Sequence, residues 1–152
     1  MMKRISKFAA GAVLAVMLAG SSMTAWAAEW LQLDDGSWMY EVEGGYAYGW
    51  QQIDGYWYYL DTETGVWKPS PAITEESAVH LLANALKKAG LYQNERADLI
   101  CRVDNSDENY VYISVGTQKT PNYFSILNTF TVNRRTGRAE SGYSKDKFNL
   151  WQ

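Results

Sequence analysis

The chain has 152 residues, a formal net charge of −3 and a single cysteine, Cys101. One cysteine excludes an intrachain disulfide, so packing, a metal or a partner must hold any small domain together. The residues that follow the N-terminal segment are enough for about one ordinary domain.

The first 27 residues have the pattern of a secretory signal peptide. Lys3, Arg4 and Lys7 precede an apolar stretch over residues 8–20, and Ala25-Trp26-Ala27 is a small-x-small cleavage signature. The apolar stretch is shorter than the ~20 residues that a bilayer span needs. We expect cleavage after Ala27 and a secreted protein; the alternative is a retained signal anchor.

Charge is unevenly distributed over residues 28–152, whose net charge is −6 because the leader removes three bases and no acid. Residues 29–71 hold eight acids and one base, whereas residues 72–152 hold nine acids and ten bases. The asymmetry predicts two modules, a repeat region over residues 28–68 and a small domain over residues 74–152, joined by a linker at 69–73.

Residues 29–48 and 49–68 are two copies of one pattern with a period of about 20 residues. Each copy contains an opening Trp, an Asp-Gly pair and a run of three residues that is wholly or mostly aromatic. The run is Trp38-Met39-Tyr40 in the first copy and Trp57-Tyr58-Tyr59 in the second. Asp-Gly between alternating aromatic runs is a strong β-hairpin signal. Alternation places Trp57 and Tyr59 on one face and Tyr58 on the other. Because an isolated hairpin is marginal in water, we predict that the two copies stack.

The second copy carries Gly49-Trp50, Gly55, Trp57-Tyr58-Tyr59 and Gly65. These residues resemble the choline-binding, or cell-wall-binding, repeats of Gram-positive surface proteins. The first copy departs by opening with Glu29-Trp30, and Tyr46 and Trp67 stand where the family usually has methionine.

The resemblance implies that a cationic ligand is held in an aromatic cage at the junction of consecutive repeats. A quaternary ammonium has no hydrogen-bond donor, so cation–π contacts with aromatic faces must recognise it. The candidate ligand-binding residues are Trp30, Trp38, Tyr40, Trp50, Trp57 and Tyr59, with Tyr46 and Trp67 as possible further walls. Two alternatives stay open, since the same rings stack on wall carbohydrate or serve only to hold the hairpins together.

The second module opens with an amphipathic helix of about 15 residues. Thr74 is the expected N-cap, Lys87 and Lys88 occupy the last turn, and Gly90 ends the helix. The predicted apolar stripe consists of Val79, Leu82, Ala83 and Leu86, extended by Leu81, Ala85 and Ala89.

Four strand-like runs follow the helix, at residues 97–103, 109–116, 123–133 and 138–143. In the third run, alternation predicts one face formed by Phe124, Ile126, Asn128, Phe130 and Val132. One helix packed on an antiparallel meander makes an α+β domain. This order weakly resembles the cystatin-like α+β modules of exported Firmicutes proteins.

No catalytic constellation is visible, and we predict neither an enzyme nor a cofactor or metal. His80 is the only histidine, and Cys101 lies in a strand-like run where a buried, inert thiol is expected. The acids around residues 104–108 lack the spacing of a calcium loop. The expected partner is a cell-wall polymer, either choline-bearing teichoic acid or glycan, without nucleic acid or membrane, and with weak self-association possible. The competing hypothesis is an accessory ligand-binding or enzyme-associated α+β domain served by a structural repeat module.

Overall fold

The computed structural model describes residues 7–8 and 27–152. The predicted signal peptide therefore lies outside the described residues, apart from Lys7, Phe8 and Ala27. The chain divides into two compact units, residues 1–69 (unit 1) and residues 70–152 (unit 2). The fold is mixed α+β, with antiparallel sheets and, in the described residues, one α-helix.

Unit 1 consists of short antiparallel strands in two sheets. The first sheet contains β1 (Lys7–Phe8), β2 (Glu29–Gln32), β3 (Trp38–Val42) and β4 (Gly45–Tyr46), in that order. The second is a hairpin of β5 (Gly49–Ile53) and β6 (Tyr56–Leu60). Each predicted copy thus contains a hairpin, and β4 is an additional strand that the repeat pattern did not indicate.

The β5–β6 turn explains why the sequence has Asp-Gly there. Asp54 and Gly55 have φ values of 52° and 77°. A two-residue turn with positive φ at both positions matches the right-handed twist of the strands, and Asp and Gly adopt it at low cost. The corresponding turn of the first copy has one more residue, and there only Gly36 has positive φ, at 85°.

Unit 2 begins with α1 (Glu75–Lys88), whose start is fixed by a reciprocal hydrogen-bond pair. The Ser77 amide donates to the Thr74 hydroxyl at 3.1 Å, and the Thr74 amide donates to the Ser77 hydroxyl at 2.6 Å. This capping box satisfies two backbone donors that the helix leaves unpaired. Gly90, at φ +68°, follows the end of the helix as predicted.

The buried side of α1 is rotated by one residue from the predicted stripe. It consists of Ser77, Ala78, Leu81, Leu82 and Leu86. Val79 and Ala83 are half-buried, and Ala89 is exposed because it is the C-cap residue beyond the last turn. The predicted stripe is therefore correct at Leu81, Leu82 and Leu86, whereas Ser77 and Ala78 are buried in place of Val79 and Ala83.

The sheet of unit 2 has five antiparallel strands in the order β11-β10-β9-β8-β7. The strands are β7 (Leu99–Ser106), β8 (Tyr110–Thr120), β9 (Tyr123–Asn133), β10 (Arg138–Ser141) and β11 (Lys147–Asn149). Helix α1 packs against β7 and β8. One sheet face supplies the core, which includes Val111, Ile113, Phe130 and Val132.

Several strand bounds differ from the predicted runs. Residues 96–98 form a 3₁₀ turn, so β7 begins two residues later than expected. Strand β8 continues past Gly116 to Thr120, where it turns directly into β9. Strand β10 ends at Ser141, whose hydroxyl accepts the backbone amides of Tyr143 and Ser144 and turns the chain towards β11.

The predicted face of β9 is correct over residues 128–132 and wrong at Phe124 and Ile126. Val115 pairs with Asn128, but the next residue, Gly116, pairs with Ile126. Leu127 is therefore an extra residue on β9, a β-bulge that reverses the alternation. Ile126 is 43% exposed, while Asn128, Phe130 and Val132 are buried.

The segment predicted as a linker is partly packed into unit 2. Pro71 and Ile73 are buried. The Trp151 indole N–H donates to the Pro71 carbonyl at 2.9 Å, and the Arg134 guanidinium donates to the Ile73 carbonyl at 2.7 Å. The residues before α1 thus belong to the folded body of unit 2.

Candidate functional site in the aromatic hairpins

Four aromatic rings of unit 1 form one cluster around Trp30. Its centroid lies 5.2 Å from Tyr40, 5.0 Å from Tyr58 and 6.0 Å from Trp67, and all three contacts are edge-to-face. Tyr58 and Trp67 also meet edge-to-face at 6.1 Å. We call these four residues the ring cluster.

Strand pairing and two bridges bring the ring cluster together. Trp30 lies opposite Tyr40 in the β2–β3 ladder. Trp67 follows β6 and forms an antiparallel bridge with Leu60, and its amide donates to the Trp38 carbonyl at 2.7 Å. The segment that ends the second copy therefore hydrogen-bonds to both copies.

The ring cluster is continuous with the core of unit 1. Tyr40 is 4% exposed and packs in a buried group with Ala47, Ile53 and Leu60, against which Trp30, Tyr58 and Trp67 also pack. Burial raises the pKa of Tyr40 and of Tyr58, and the Asp54 carboxylate adds to both shifts. The two phenols therefore stay protonated and neutral throughout the physiological pH range.

Centroid separations of 5.0–6.1 Å are those of rings in direct contact, for which roughly 4.5–7 Å is usual. The members of the ring cluster pack on one another and not around a gap. Of the eight predicted ligand-binding residues, Tyr40 thus lies in the core of unit 1, and the half-buried Trp30 and Trp67 pack against that core.

A second ring contact joins Trp50 and Tyr59, which we call the ring pair. These residues are opposite each other in the β5–β6 ladder, with centroids 5.3 Å apart and planes tilted by 51°. Both side chains are half-buried. The ring pair lies on the opposite face of the hairpin from Tyr58, since strand neighbours alternate.

The remaining predicted ligand-binding residues are distributed along the strands. Trp38 lies opposite Gln32, Trp57 opposite Gln52 and Tyr46 opposite Glu41. All three are half-buried. Trp57 is two residues before Tyr59 and shares its face, so it lies beside the ring pair.

Tyr58 is the residue of the ring cluster that is missing from the predicted ligand-binding residues. Alternation correctly separates it from Trp57 and Tyr59, but the predicted ligand-binding residues of this strand all lie on the other face. The run from Tyr56 to Leu60 is aromatic or apolar at every position. An uninterrupted run of this kind indicates a strand covered on both faces, and it was the available signal.

Turn hydrogen bonds keep two acids of unit 1 ionised. The Ser37 hydroxyl and amide donate to Asp35 and lower its carboxyl pKa. The Thr64 and Glu63 amides do the same for Asp61, with a smaller contribution from Lys68, whose ammonium lies 3.7 Å away. These two carboxylates therefore stay charged at mildly acidic pH.

Burial and turn hydrogen bonds set the protonation states of three polar side chains of unit 2. Burial lowers the pKa of His80, partly offset by Glu76 at 3.8 Å, so the imidazole is neutral at pH 7. Burial raises the pKa of the Cys101 thiol to about 12. Asp107 accepts the Asn109 and Tyr110 amides, both at 2.8 Å, and acts as a turn residue.

Within residues 7–8 and 27–152, no group of three or more His, Cys, Asp or Glu side chains is arranged to hold a metal ion. In the same part of the chain, no helix has the length and apolar character of a membrane span. Comparison with protein-family models, curated proteins and solved structures finds no match to this chain. The functional assignment therefore rests on the side chains themselves.

Proposed function

We propose that the protein is exported and attaches non-catalytically to the bacterial cell wall through the aromatic hairpins of unit 1. The ligand is a choline-like quaternary ammonium that contacts Trp50 and Tyr59. The observation that carries the proposal is the ring pair, two half-buried rings that are tilted towards each other in a strongly acidic module.

In this proposal the two copies are stacked repeats. The Trp30 and Tyr40 face of the first hairpin packs against the Tyr58 and Leu60 face of the second. The opposite face of the second hairpin carries the ring pair. Trp30 and Trp50 occupy equivalent positions of the two copies and thus have different roles, structural for Trp30 and ligand-binding for Trp50.

The tilt of the ring pair favours a compact cation over a flat sugar. Because the two rings are in contact at 5.3 Å, a trimethylammonium group would bind on their solvent side and not between them; with planes at 51° it can touch both rings, whereas a pyranose ring stacks on one plane at a time. Each cation–π contact contributes about 0.5–2 kcal/mol, depending on desolvation. Two such contacts predict a weak, millimolar site, aided by the field of the surrounding carboxylates.

Retention on a choline-substituted matrix tests this function. Wild type should be retained and should elute with free choline, while Trp50→Ala and Tyr59→Ala should each abolish retention. Tyr48→Ala is the matched control, since Tyr48 is 46% exposed and lies outside both ring groups. It should bind as wild type does.

The competitor identifies the ligand class. Choline should displace the protein at concentrations where ammonium chloride and N-acetylglucosamine do not. Displacement by the sugar alone would replace the cation with a wall glycan. Unchanged retention of a Trp50→Ala variant with a native circular dichroism spectrum would refute the ring pair as the site.

A further inference from the structure

Unit 2 has a polar groove at the end of its sheet where β8 begins and β9 turns into β10. It consists of three adjoining depressions of about 580, 160 and 380 Å³. The first two share Tyr110 and Asn133, and the last two share Thr136 and Arg138. We call this surface the β9–β10 groove.

Basic side chains outnumber acids in the β9–β10 groove. Arg134 and Arg135 line its outer depression with one acid, Glu108; Arg135 is exposed, and its guanidinium has no acceptor among the residues that the structure describes. Arg138 and Lys147 line the other end and share one acid, Glu140, at 2.9 and 3.6 Å. Each end of the groove thus has an excess of positive charge.

Two neutral donors line the groove near Arg135: Asn109 at the outer depression, and Tyr110 at the outer and middle depressions. Within the described part of the chain, the Asn109 side-chain amide and the Tyr110 hydroxyl make no hydrogen bond, although both line the groove. The Tyr110 ring is 38% exposed and lies 6.3 Å from Tyr112. Amide and phenol groups of this kind recognise hydroxyls, and a tyrosine face covers the apolar edge of a polyol or sugar.

The walls of the groove are held in place by hydrogen bonds within unit 2. Arg134 donates to the Asp107 and Ile73 carbonyls at 2.8 and 2.7 Å, which ties the β9–β10 turn to the neighbouring segments. The Asn133 side-chain oxygen accepts the Arg135 and Thr136 amides at 2.9 and 3.0 Å. Arg134 is therefore structural, and Arg135 is presented on a fixed turn. Such preorganisation lowers the entropy lost on binding.

We propose that the β9–β10 groove binds a phosphodiester-linked polyol or sugar chain. Two separate basic ends require a ligand with repeating negative charge, and a single small anion would occupy only one of them. Arginine suits phosphate because its planar donors pair with two oxygens at once. The hydroxyl-matching groups near Arg135 require a ligand with hydroxyls beside its charges. This site is independent of the ring pair, which binds a group of opposite charge.

Binding of poly(glycerol phosphate) to the purified protein, followed by titration calorimetry, tests the groove. The double variant Arg135→Gln/Arg138→Gln should weaken binding by about tenfold to a hundredfold, since two charge-assisted contacts are lost. The matched control is Lys119→Gln/Lys145→Gln, which removes two exposed bases outside the groove. The two double variants therefore have the same net charge. The control should change binding by less than about twofold.

Further binding measurements distinguish this site from unspecific charge attraction. Poly-L-glutamate should bind more weakly than poly(glycerol phosphate), because it offers no hydroxyls to Asn109 and Tyr110. Tyr110→Ala should reduce that preference. Equal binding of the two polymers, or equal losses in the two double variants, would mean unspecific charge attraction and would overturn the proposal. Trp50→Ala should leave poly(glycerol phosphate) binding unchanged, so failure here is distinguishable from failure of choline binding.

Discussion

Cys101 shows how burial decides the chemistry of a single side chain in this protein. It lies in β7, opposite Val115, and desolvation raises its thiol pKa from 9.0 to about 12. A thiol attacks electrophiles only as the thiolate, so Cys101 is unreactive at neutral pH. The same shift links its ionisation to folding.

Stability should therefore fall as the pH rises from about 9 towards 12. In that window the thiol of the unfolded chain ionises while the folded thiol stays protonated, so the unfolded state gains free energy relative to the folded one. Between pH 8 and pH 10 the loss should be about 1 kcal/mol. Urea unfolding at pH 8, 9 and 10 measures it.

Cys101→Ala is the control for this pH dependence. The variant is expected to be less stable overall, but it should lose less stability than wild type between pH 8 and pH 10. The range from pH 8 to pH 10 does not exceed the ordinary tyrosine pKa of about 10. Burial raises the pKa of Tyr40 and Tyr58 still further. Identical slopes for variant and wild type would show that the thiol does not contribute.

At the scale of the element, the β-bulge of β9 depends on one glycine. Gly116 faces the bulge, and a Cβ built there would lie 2.1 Å from the Ser125 carbonyl oxygen. Real Cβ atoms do not approach backbone so closely, so an alanine must push the two strands apart. Pairing between Gly116 and Ile126 is therefore possible only with glycine at this position.

Gly116→Ala should lower the free energy of unfolding by about 2–4 kcal/mol, as overpacking against rigid backbone does. Chemical denaturation followed by circular dichroism gives the value. Gly142→Ala is the matched comparison, because its Cβ would meet the Thr129 hydroxyl, a side chain that can rotate away. Gly142→Ala should lower the free energy of unfolding by clearly less than Gly116→Ala does. Equal losses at the two positions would contradict the steric explanation.

The sequence predicted those elements whose signals are local. Thr74 and Gly90 marked the ends of α1, Asp54-Gly55 marked a hairpin turn, and the bounds of β9 were predicted correctly. The bulge at Leu127 could not be predicted, because an extra residue is defined only against the partner strand. The three-residue strand β11 is too short to show a periodicity.

The candidate site was predictable in composition but not in arrangement. Repetition identified the aromatic residues of unit 1, and alternation sorted Tyr58 from Trp57 and Tyr59. Which rings form the interior depends on how one hairpin packs on the next. Trp30 and Trp50 occupy equivalent repeat positions, yet one joins the ring cluster and the other the ring pair. No local pattern distinguishes them.

At the scale of the whole molecule, charge and core are both divided between the units. Unit 1 is acidic and has its own buried group around Leu60, while unit 2 has a core that includes Leu82 and Phe130. A cation site in the first unit and a polyanion site in the second would together fit a polymer that carries both charges. Two weak sites on one chain strengthen attachment when both are engaged.

Separate cores predict separate unfolding transitions, because two-state behaviour is a property of single domains. Leu60 and Leu82 are both 0% exposed, and replacing either by alanine should cost about 2–5 kcal/mol in its own unit. The sequence supplies a probe for each unit. Six of the seven tryptophans precede residue 68, so tryptophan fluorescence reports on unit 1, whereas ellipticity at the helix band reports on α1 in unit 2.

Leu60→Ala should therefore lower the fluorescence midpoint and leave the helix midpoint nearly unchanged. Leu82→Ala should do the reverse. Unit 1 is small, with few residues to bury, so its transition should come first in both wild type and variants. A common midpoint that moves equally with either substitution would mean that the two cores fold as one cooperative body. In that case loss of a ring in unit 1 would also weaken the β9–β10 groove, and binding data on the two sites would have to be interpreted together.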